Sequence, residues 1–160
     1  MSRKPKIQIK IDPNIAEYEI QILAKNMGSE MLKIKELIES AIRLDSRIHL
    51  TNESRDFYLP AEEILFFESA EGKTFAHNSE HIYETRLKLY ELMNVLPISF
   101  VRAGKSVIVG TKSVLSIERS LTGPSLVQFS GSKKQIYVSR SYYKGFVEKL
   151  KERDGYDGGK

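Results

Sequence analysis

From residue 47 onward the chain is a succession of short apolar or alternating runs, three to eight residues long, separated by turn sequences. This spacing is typical of β-rich domains, because a strand needs only a few residues with a period of two, whereas a helix needs a longer run with a period near 3.6. The runs predict strands at residues 48–50, 56–59, 64–67, 73–77, 81–83, 100–102, 106–109, 114–121, 126–129 and 135–138. We therefore expect a mostly β fold with flanking helices, of the α+β class.

Three further patterns refine this fold. Residues 64–67 (Ile-Leu-Phe-Phe) are continuously apolar, which predicts a strand buried on both faces. An apolar stripe with helical spacing begins at Leu89 and predicts a helix over residues 86–94, with Thr85 as its N-cap. A second amphipathic pattern predicts a closing helix over residues 141–151.

The amino-terminal part has a different pattern. Residues 6–12 and 18–22 alternate between polar and apolar side chains, which predicts two strands, and from Ser29 the period changes to that of a helix with Ser29 as its N-cap. This small ββα extension is too short to bury its own apolar faces, so we expect it to serve dimer formation. The expected boundaries are residues 1–46 for the extension, 47–151 for the main domain and 152–160 for a flexible tail.

Composition excludes several classes of site. The chain contains no cysteine, which excludes disulfides, thiolate zinc sites, iron–sulfur clusters and cysteine nucleophiles. Its longest uninterrupted apolar run is the one at residues 64–67, far below the ~20 residues of a membrane-spanning helix. We therefore expect a cytoplasmic protein that does not insert into a membrane.

The positive charge is concentrated in one half of the chain. Residues 1–100 hold 13 Lys and Arg against 16 Asp and Glu, whereas residues 101–153 hold 11 against 3, a net charge of +8. A module this basic is suited to neutralising DNA phosphates with release of counterions. On charge alone, a lysine-rich solvated surface explains the composition equally well.

Catalytic motifs are absent from the sequence. The ten glycines are scattered, and none belongs to a phosphate-binding loop, a nucleophile elbow or a dinucleotide motif. One segment, His77-Asn-Ser-Glu80-His81, has the H-x-x-E-H spacing of inverted zinc proteases. That spacing needs a helix to bring both histidines to one face, whereas here it falls on a strand, a turn and another strand, so we interpret these residues as surface polar groups at a hairpin. We expect no enzyme activity, no metal and no cofactor.

Three short segments of the main domain place Lys or Arg beside small or hydroxyl residues, at 71–73, 101–106 and 138–142. Each adjoins a predicted strand, so a β scaffold could project all three toward one side. Arg and Lys suit guanine edges in the major groove, whereas Ser, Tyr and backbone N–H groups suit phosphates. Taken singly, each segment is also consistent with ordinary surface charge.

The sequence around these segments carries a family resemblance. The sequence has Glu-Ile-Leu-Phe-Phe-Glu-Ser at residues 63–69, Phe-Val-Arg-Ala-Gly-Lys-Ser-Val-Ile-Val at 100–109 and Ile-Tyr-Val-Ser-Arg-Ser-Tyr-Tyr at 136–143. In order and spacing, these blocks resemble the LytTR family of DNA-binding domains over residues 47–151. The sequence departs from the usual family pattern at Gly104, where many members have His, and at Gly110, where Asn is usual.

The resemblance implies an elongated β-sandwich that inserts loops, instead of a recognition helix, into successive grooves of DNA. It places base-contacting positions near Lys73, at Lys105 and at Arg140. It makes Arg102, Ser106 and Ser139 flanking positions that contact phosphates or brace the loops.

Residues 1–46 are too short for the phosphorylatable receiver domain that many members carry, so the chain resembles stand-alone members, which are often associated with a regulatory membrane protein. We therefore expect a sequence-specific transcriptional regulator that binds repeated sites on double-stranded DNA as a homodimer. The alternative is a non-DNA interaction module whose basic half binds an acidic protein or an anionic surface.

Overall fold

The computed structural model describes residues 6–14, 19–43 and 47–154. These residues form three α-helices and ten β-strands, joined by short turns and two 3-10 turns. In chain order the elements are α1 (Ser29–Arg43), β1 (Arg47–Asn52), β2 (Arg55–Pro60), a 3-10 turn (Ala61–Glu63), β3 (Phe66–Ala70), β4 (Lys73–His77), β5 (Ile82–Thr85), α2 (Leu89–Val95), β6 (Phe100–Gly104), β7 (Val107–Gly110), a 3-10 turn (Thr111–Ser113), β8 (Val114–Glu118), β9 (Ser125–Phe129), β10 (Gln135–Val138) and α3 (Tyr143–Arg153). The expected mostly β, α+β class is confirmed.

The strands form two antiparallel sheets. The larger sheet has seven strands in the order β2-β1-β5-β4-β3-β7-β6, and the smaller has three in the order β10-β9-β8. In the larger sheet, β3 pairs with β4 on one side and with β7 on the other, so that Phe66 lies opposite both His77 and Val109. Strands distant in the sequence therefore become neighbours at the centre of this sheet.

Strand β3 divides two hydrophobic cores. Phe67 is fully buried on the face of the larger sheet covered by α2, whereas Phe66 is buried on the opposite face, against the smaller sheet and α3. The prediction of a run buried on both faces is thereby confirmed, although the strand itself begins at Phe66. Leu65 is bonded to both neighbouring strands, because its N–H donates to the His77 carbonyl (2.8 Å) and its carbonyl accepts from the Gly110 N–H (2.9 Å).

The two later helices close these cores. In α2 the predicted stripe is buried through Leu89 and Leu92, with Leu96 following at the helix end. The helix begins at Leu89 instead of residue 86, because Thr85 belongs to β5 and the Glu91 carboxylate accepts a hydrogen bond from the Lys88 N–H (3.1 Å) at the helix start.

In α3, Phe146 is fully buried and anchors the helix to the smaller sheet. This helix extends to Arg153, two residues beyond the predicted end. The Arg153 guanidinium donates to the carbonyls of Thr111 (2.8 Å) and Val114 (2.7 Å), which holds the last turn of α3 against the second 3-10 turn and β8. The rest of the predicted tail, residues 155–160, lies outside the described residues.

The amino-terminal extension contains the predicted helix but not the predicted strands. Residues 6–12 and 19–22 form no strand, and Ile7, Ile9 and Ile11 are each more than 80% exposed (91%, 84% and 89%); Tyr18, the first residue of the second predicted strand, lies outside the described residues. The prediction was wrong because an alternating pattern forms a strand only where a neighbouring strand accepts its hydrogen bonds.

Helix α1 begins at Ser29, and the Gly28 carbonyl accepts from the Leu32 N–H (3.1 Å). Gly28 therefore occupies the N-cap position that the sequence assigned to Ser29. The helix adjoins the main domain at Ser40, whose hydroxyl accepts a 3.4 Å hydrogen bond from the Ile98 N–H.

Candidate nucleic-acid interface

Three turns meet at one end of the molecule. They are the β3–β4 turn at Glu71 and Gly72, the β6–β7 turn at Lys105 and Ser106, and the link between β10 and α3 at residues 139–142. The Ser106 carbonyl accepts from the Ser69 N–H (2.8 Å), which joins the first turn to the second. We call the surface formed by these three turns the loop face.

A second hydrogen bond brings the smaller sheet to the same end. The Ser139 N–H, just after β10, donates to the Ala103 carbonyl in β6 at 2.9 Å. Ala103 lies at an irregularity in the pairing of β6 with β7, and its carbonyl accepts this bond from the residue that follows β10. The loop face therefore spans both sheets and combines three segments that are distant in the sequence.

In the β6–β7 turn, Arg102 supports Lys105. The Arg102 guanidinium donates through Nη1 to the Lys105 carbonyl at 2.9 Å, and this hydrogen bond holds the backbone of the turn in place. Arg102 is half-buried, whereas Lys105 and Ser106 are exposed. Among the six residues predicted to contact DNA, Arg102 therefore has the geometry of a bracing residue, and Lys105 that of a contacting one.

The link after β10 holds Arg140 in a similar way. Val138 is fully buried before it, and the Tyr142 N–H donates to the Ser139 carbonyl (3.0 Å) after it, so the backbone is fixed on both sides of Arg140. The Ser139 and Ser141 hydroxyl oxygens are 3.5 Å apart. The Arg140 side chain itself is exposed. A fixed backbone with an exposed guanidinium is suited to contacting a groove without a large loss of backbone entropy.

Lys73 lies at the same end but is already engaged. Its ammonium nitrogen is 3.3 Å from Glu84 Oε2 on β5, and both side chains are about half exposed. The β3–β4 turn has two residues, with positive φ at Glu71 (52°) and Gly72 (77°). Of the three predicted base-contacting residues, Lys73 is therefore the one held within the protein by an acidic partner.

Sequence reasoning missed Arg119. The run 114–121 was predicted as one strand, but β8 ends at Glu118, and Arg119 opens the loop to β9. Because Glu118 pairs with Leu126 and Val138 pairs with Ser125, this loop lies at the same end of the smaller sheet as the link carrying Arg140. The pairing of β8, β9 and β10 as an antiparallel meander was the information needed to find it.

The predicted hairpin forms between β4 and β5, with Glu80 and His81 exposed, but His77 at its start belongs to a buried polar cluster at the opposite end of β4 from the loop face. His77 is 6% exposed, its ring stacks on Phe66, and its Nε2 is 2.7 Å from Glu68 Oε1. On the other side of the ring, the Lys134 ammonium lies 3.4 Å from Nδ1 and donates to the His81 carbonyl at 2.9 Å. The prediction of surface exposure at His77 was wrong, since pairing with β3 places it between the sheets.

The two neighbouring charges determine which ring nitrogen of His77 carries the proton. An ammonium facing Nδ1 and a carboxylate facing Nε2 select the neutral tautomer that carries its proton on Nε2. Burial lowers the pKa of His77 below its usual value and the Lys134 charge acts in the same direction, while the hydrogen bond and charge of Glu68 oppose them. Within the described residues no group of three or more His, Asp or Glu side chains is placed to hold a metal ion.

No helix in the described parts of the chain has the length and apolar character needed to cross a membrane.

Comparison with known proteins identifies the domain. The family model described as the LytTr DNA-binding domain matches residues 54–151, which include all three turns of the loop face. A solved LytTr DNA-binding domain from Bacillus cereus superposes with a TM-score of 0.61 at 23% identity, over 66% of this chain and 97% of that one. At this sequence identity the likeness shows a shared fold alone.

Two curated relatives match along most of the chain. A protein of Staphylococcus aureus strain NCTC 8325 / PS 47 is 27% identical over 154 residues, and one of strain MRSA252 is 26% identical over the same length. In each case the match covers 91% of this chain and 97% of the relative. Both are named uncharacterized HTH-type transcriptional regulators.

In the present chain, strands β6 to β10 separate α2 from α3, so the main domain over residues 47–154 contains no helix-turn-helix unit. The sequence blocks, the two-sheet fold and the family match agree with one another. Residues 54–151 therefore form a LytTR DNA-binding domain, and the chain belongs to the LytTR family.

Proposed function

We propose that this protein is a cytoplasmic transcriptional regulator that binds repeated sites on double-stranded DNA in a sequence-specific manner. Membership of the LytTR family supports DNA binding, and the names of the staphylococcal relatives support a regulatory role. The observation that carries the proposal is the loop face, where hydrogen bonds hold three turns from both sheets together with Lys105 and Arg140 exposed.

The chemistry of these residues determines their roles. A guanidinium can donate two parallel hydrogen bonds to guanine O6 and N7, and an ammonium can donate to the same acceptors. We assign base contacts to Arg140 and Lys105 on this ground. Ser106 and Ser139 lie beside them with hydroxyl groups suited to phosphate oxygens, and Arg102 braces the turn from within.

The first experiment tests Arg140. A site is selected from a random pool with the full-length protein, and binding of Arg140→Ala is measured on that site and on a scrambled duplex. We expect a loss of about 1–3 kcal/mol on the selected site, with relaxed preference at one base pair. Lys133→Ala is the matched control, because it removes one exposed positive charge in the turn before β10, at the opposite end of the molecule. Equal losses on both duplexes would show that Arg140 contacts a phosphate instead of a base.

Lys105→Ala tests the second contact. If Lys105 contacts a base, the variant loses affinity mainly for the selected site, and its preference changes at a base pair different from that of Arg140→Ala. Unchanged affinity on the selected site would show that the β6–β7 turn does not enter the DNA.

We also propose that residues 1–46 mediate homodimer formation and do not select the DNA sequence. This segment holds 8 Lys and Arg against 7 Asp and Glu, so it has little net attraction for phosphate. Within its described part the isoleucines at 7, 9 and 11 are almost fully exposed, and their alternating pattern could pair with the same segment of a second copy.

Dimer formation is tested in the full-length chain by replacing Ile7, Ile9 and Ile11 with Ser and measuring mass by light scattering. We expect the triple variant to dissociate at concentrations at which the parent is dimeric, with an unchanged selected sequence. Replacing Lys6 and Lys10 with Ser is the control, because it alters the polar face of the same segment. A dimeric triple variant that selects different sites would contradict this division of roles.

A further inference from the structure

Beyond the three turns of the loop face, the loop between β8 and β9 also lies at this end of the molecule, and it is ordered by its own hydrogen bonds. The Ser125 hydroxyl, which is buried, accepts from the Ser120 N–H at 3.1 Å. The Ser120 hydroxyl accepts in turn from the N–H groups of Thr122 (3.4 Å) and Gly123 (3.0 Å). Ser120 is therefore fixed on both its backbone and its side chain, and the residue before it, Arg119, leaves β8 in a defined position.

The Arg119 side chain is held by an aromatic ring. Its guanidinium carbon lies 5.3 Å from the centroid of the Tyr143 ring, within the range of a cation–π contact. Tyr143 is half-buried, packs against the core that contains Phe146, and is the first residue of α3. Among the described residues no carboxylate forms an ion pair with Arg119, in contrast to Lys73, whose charge is paired with Glu84.

The position of Tyr143 relates Arg119 to the loop face. Tyr143 follows Arg140 by three residues, and the link between them is closed by the hydrogen bond from Tyr142 to Ser139. A cation resting on Tyr143 therefore lies beside the segment that carries Arg140. A duplex that contacts Arg140 in a groove must pass one of its backbones over the adjoining protein surface.

We propose that Arg119 contacts a phosphate of the same DNA duplex, with Tyr143 as its positioning residue; this inference rests on the proposed DNA-binding function. The Arg119 guanidinium lies against Tyr143 at the start of α3. It can therefore contact only those groups of the duplex that come close to the protein surface. The outermost groups of a duplex are its phosphates, and a guanidinium that stacks on an aromatic ring keeps its N–H groups available at its edge for phosphate oxygens.

The test measures affinity as a function of salt for the full-length protein on the selected site and on a scrambled duplex. We expect Arg119→Ala to weaken binding to both duplexes by the same factor and to reduce the magnitude of the salt slope by about 0.9. Tyr143→Phe retains the ring and should bind as the parent does, whereas Tyr143→Leu should show part of the Arg119→Ala effect. Lys133→Ala, with the same loss of charge far from the loop face, should change the slope less.

Each outcome bears on the inference. If Arg119→Ala retains the parental affinity and slope while Arg140→Ala loses affinity, the inference fails and the proposed function stands. A loss confined to the selected site would also overturn it, since that is the behaviour of a base contact. If the parent protein binds neither duplex, the inference and the proposed function fail together. Thermal melting of each variant separates a loss of contact from a loss of fold.

Discussion

Replacing His77 with Phe tests the buried cluster between the sheets. A phenyl ring retains the stacking on Phe66, where the ring centroids are 4.2 Å apart, but removes the N–H donor to Glu68 and the acceptor facing Lys134. A hydrogen bond to a charged group contributes about 1.5–3 kcal/mol to stability. Because the Glu68 side chain is 38% exposed and can be hydrated, we expect a loss of about 1–2 kcal/mol at pH 7.5. For a domain of this size that corresponds to a decrease in Tm of roughly 5–10 °C.

The pH dependence of this loss follows from the lowered pKa of His77. Burial lowers the pKa in the folded state, whereas in the unfolded chain it is about 6.5. As the pH falls through 6.5, the unfolded chain takes up a proton more readily than the folded protein, so the stability of the parent decreases. The His77→Phe variant has no imidazole at this position, so its stability lacks this change with pH. The stability difference between parent and variant should therefore be largest above pH 7 and should narrow toward pH 5.

Urea unfolding followed by circular dichroism, at several values between pH 5 and pH 8, measures this difference. His49 and His81 are present in both proteins, so their effects cancel. His81→Phe is the matched control, because the His81 side chain is exposed and only its backbone carbonyl contacts Lys134. A difference that stays constant as the pH falls would refute the reasoning, because folding would then leave the pKa of His77 unchanged. A difference that widens would also refute it, because folding would then raise this pKa, as an ion pair with Glu68 does.

Three other predictions concern the loop face, the core and metal. Gly104→His should leave the unfolding free energy within about 0.5 kcal/mol of the parent, because a Cβ at this position meets only the Ser139 hydroxyl at 4.0 Å, and a marked drop in Tm would contradict this. Gly110→Ala should destabilise the domain by about 1 kcal/mol in urea unfolding, because its Cβ would lie 3.1 Å from the Phe100 ring and 3.2 Å from the Ile64 carbonyl; an unchanged midpoint would show that both neighbours can move. Treatment with a chelator should change neither the Tm nor DNA binding, and stoichiometric zinc by elemental analysis would contradict that expectation.

Local patterns predicted the elements whose structure depends on burial alone. The run ending at Phe67 is buried on both faces, and the stripe beginning at Leu89 lies on the core side of α2, as their periodicities indicated. Lys105 and Arg140 were placed by the family resemblance, and the structure brings their turns to the same end through bonds that link the two sheets.

What the sequence could not show depended on pairing between distant segments. The segment containing Ile9 has the pattern of a strand, but no local feature supplies the partner that it needs. His77 looked like a polar surface residue, because its burial arises only when β3 and β4 pair and place it on Phe66. Arg119 was hidden for a similar reason, since the pattern of residues 114–121 continues past the point at which β8 ends.

The stacking of Phe66 on Phe129 influences the separation of the two residues that we propose to contact bases. These rings, one from each sheet, lie 5.6 Å apart in the core between the sheets. Lys105 projects from the larger sheet and Arg140 from the end of the smaller one, so the packing between the sheets, together with the hydrogen bond from Ser139 to Ala103, sets the separation of these two residues. The thickness of this core therefore influences the spacing between the two proposed base contacts. We therefore expect substitutions that change the thickness of this core to alter the preferred spacing between the bases that Lys105 and Arg140 are proposed to contact.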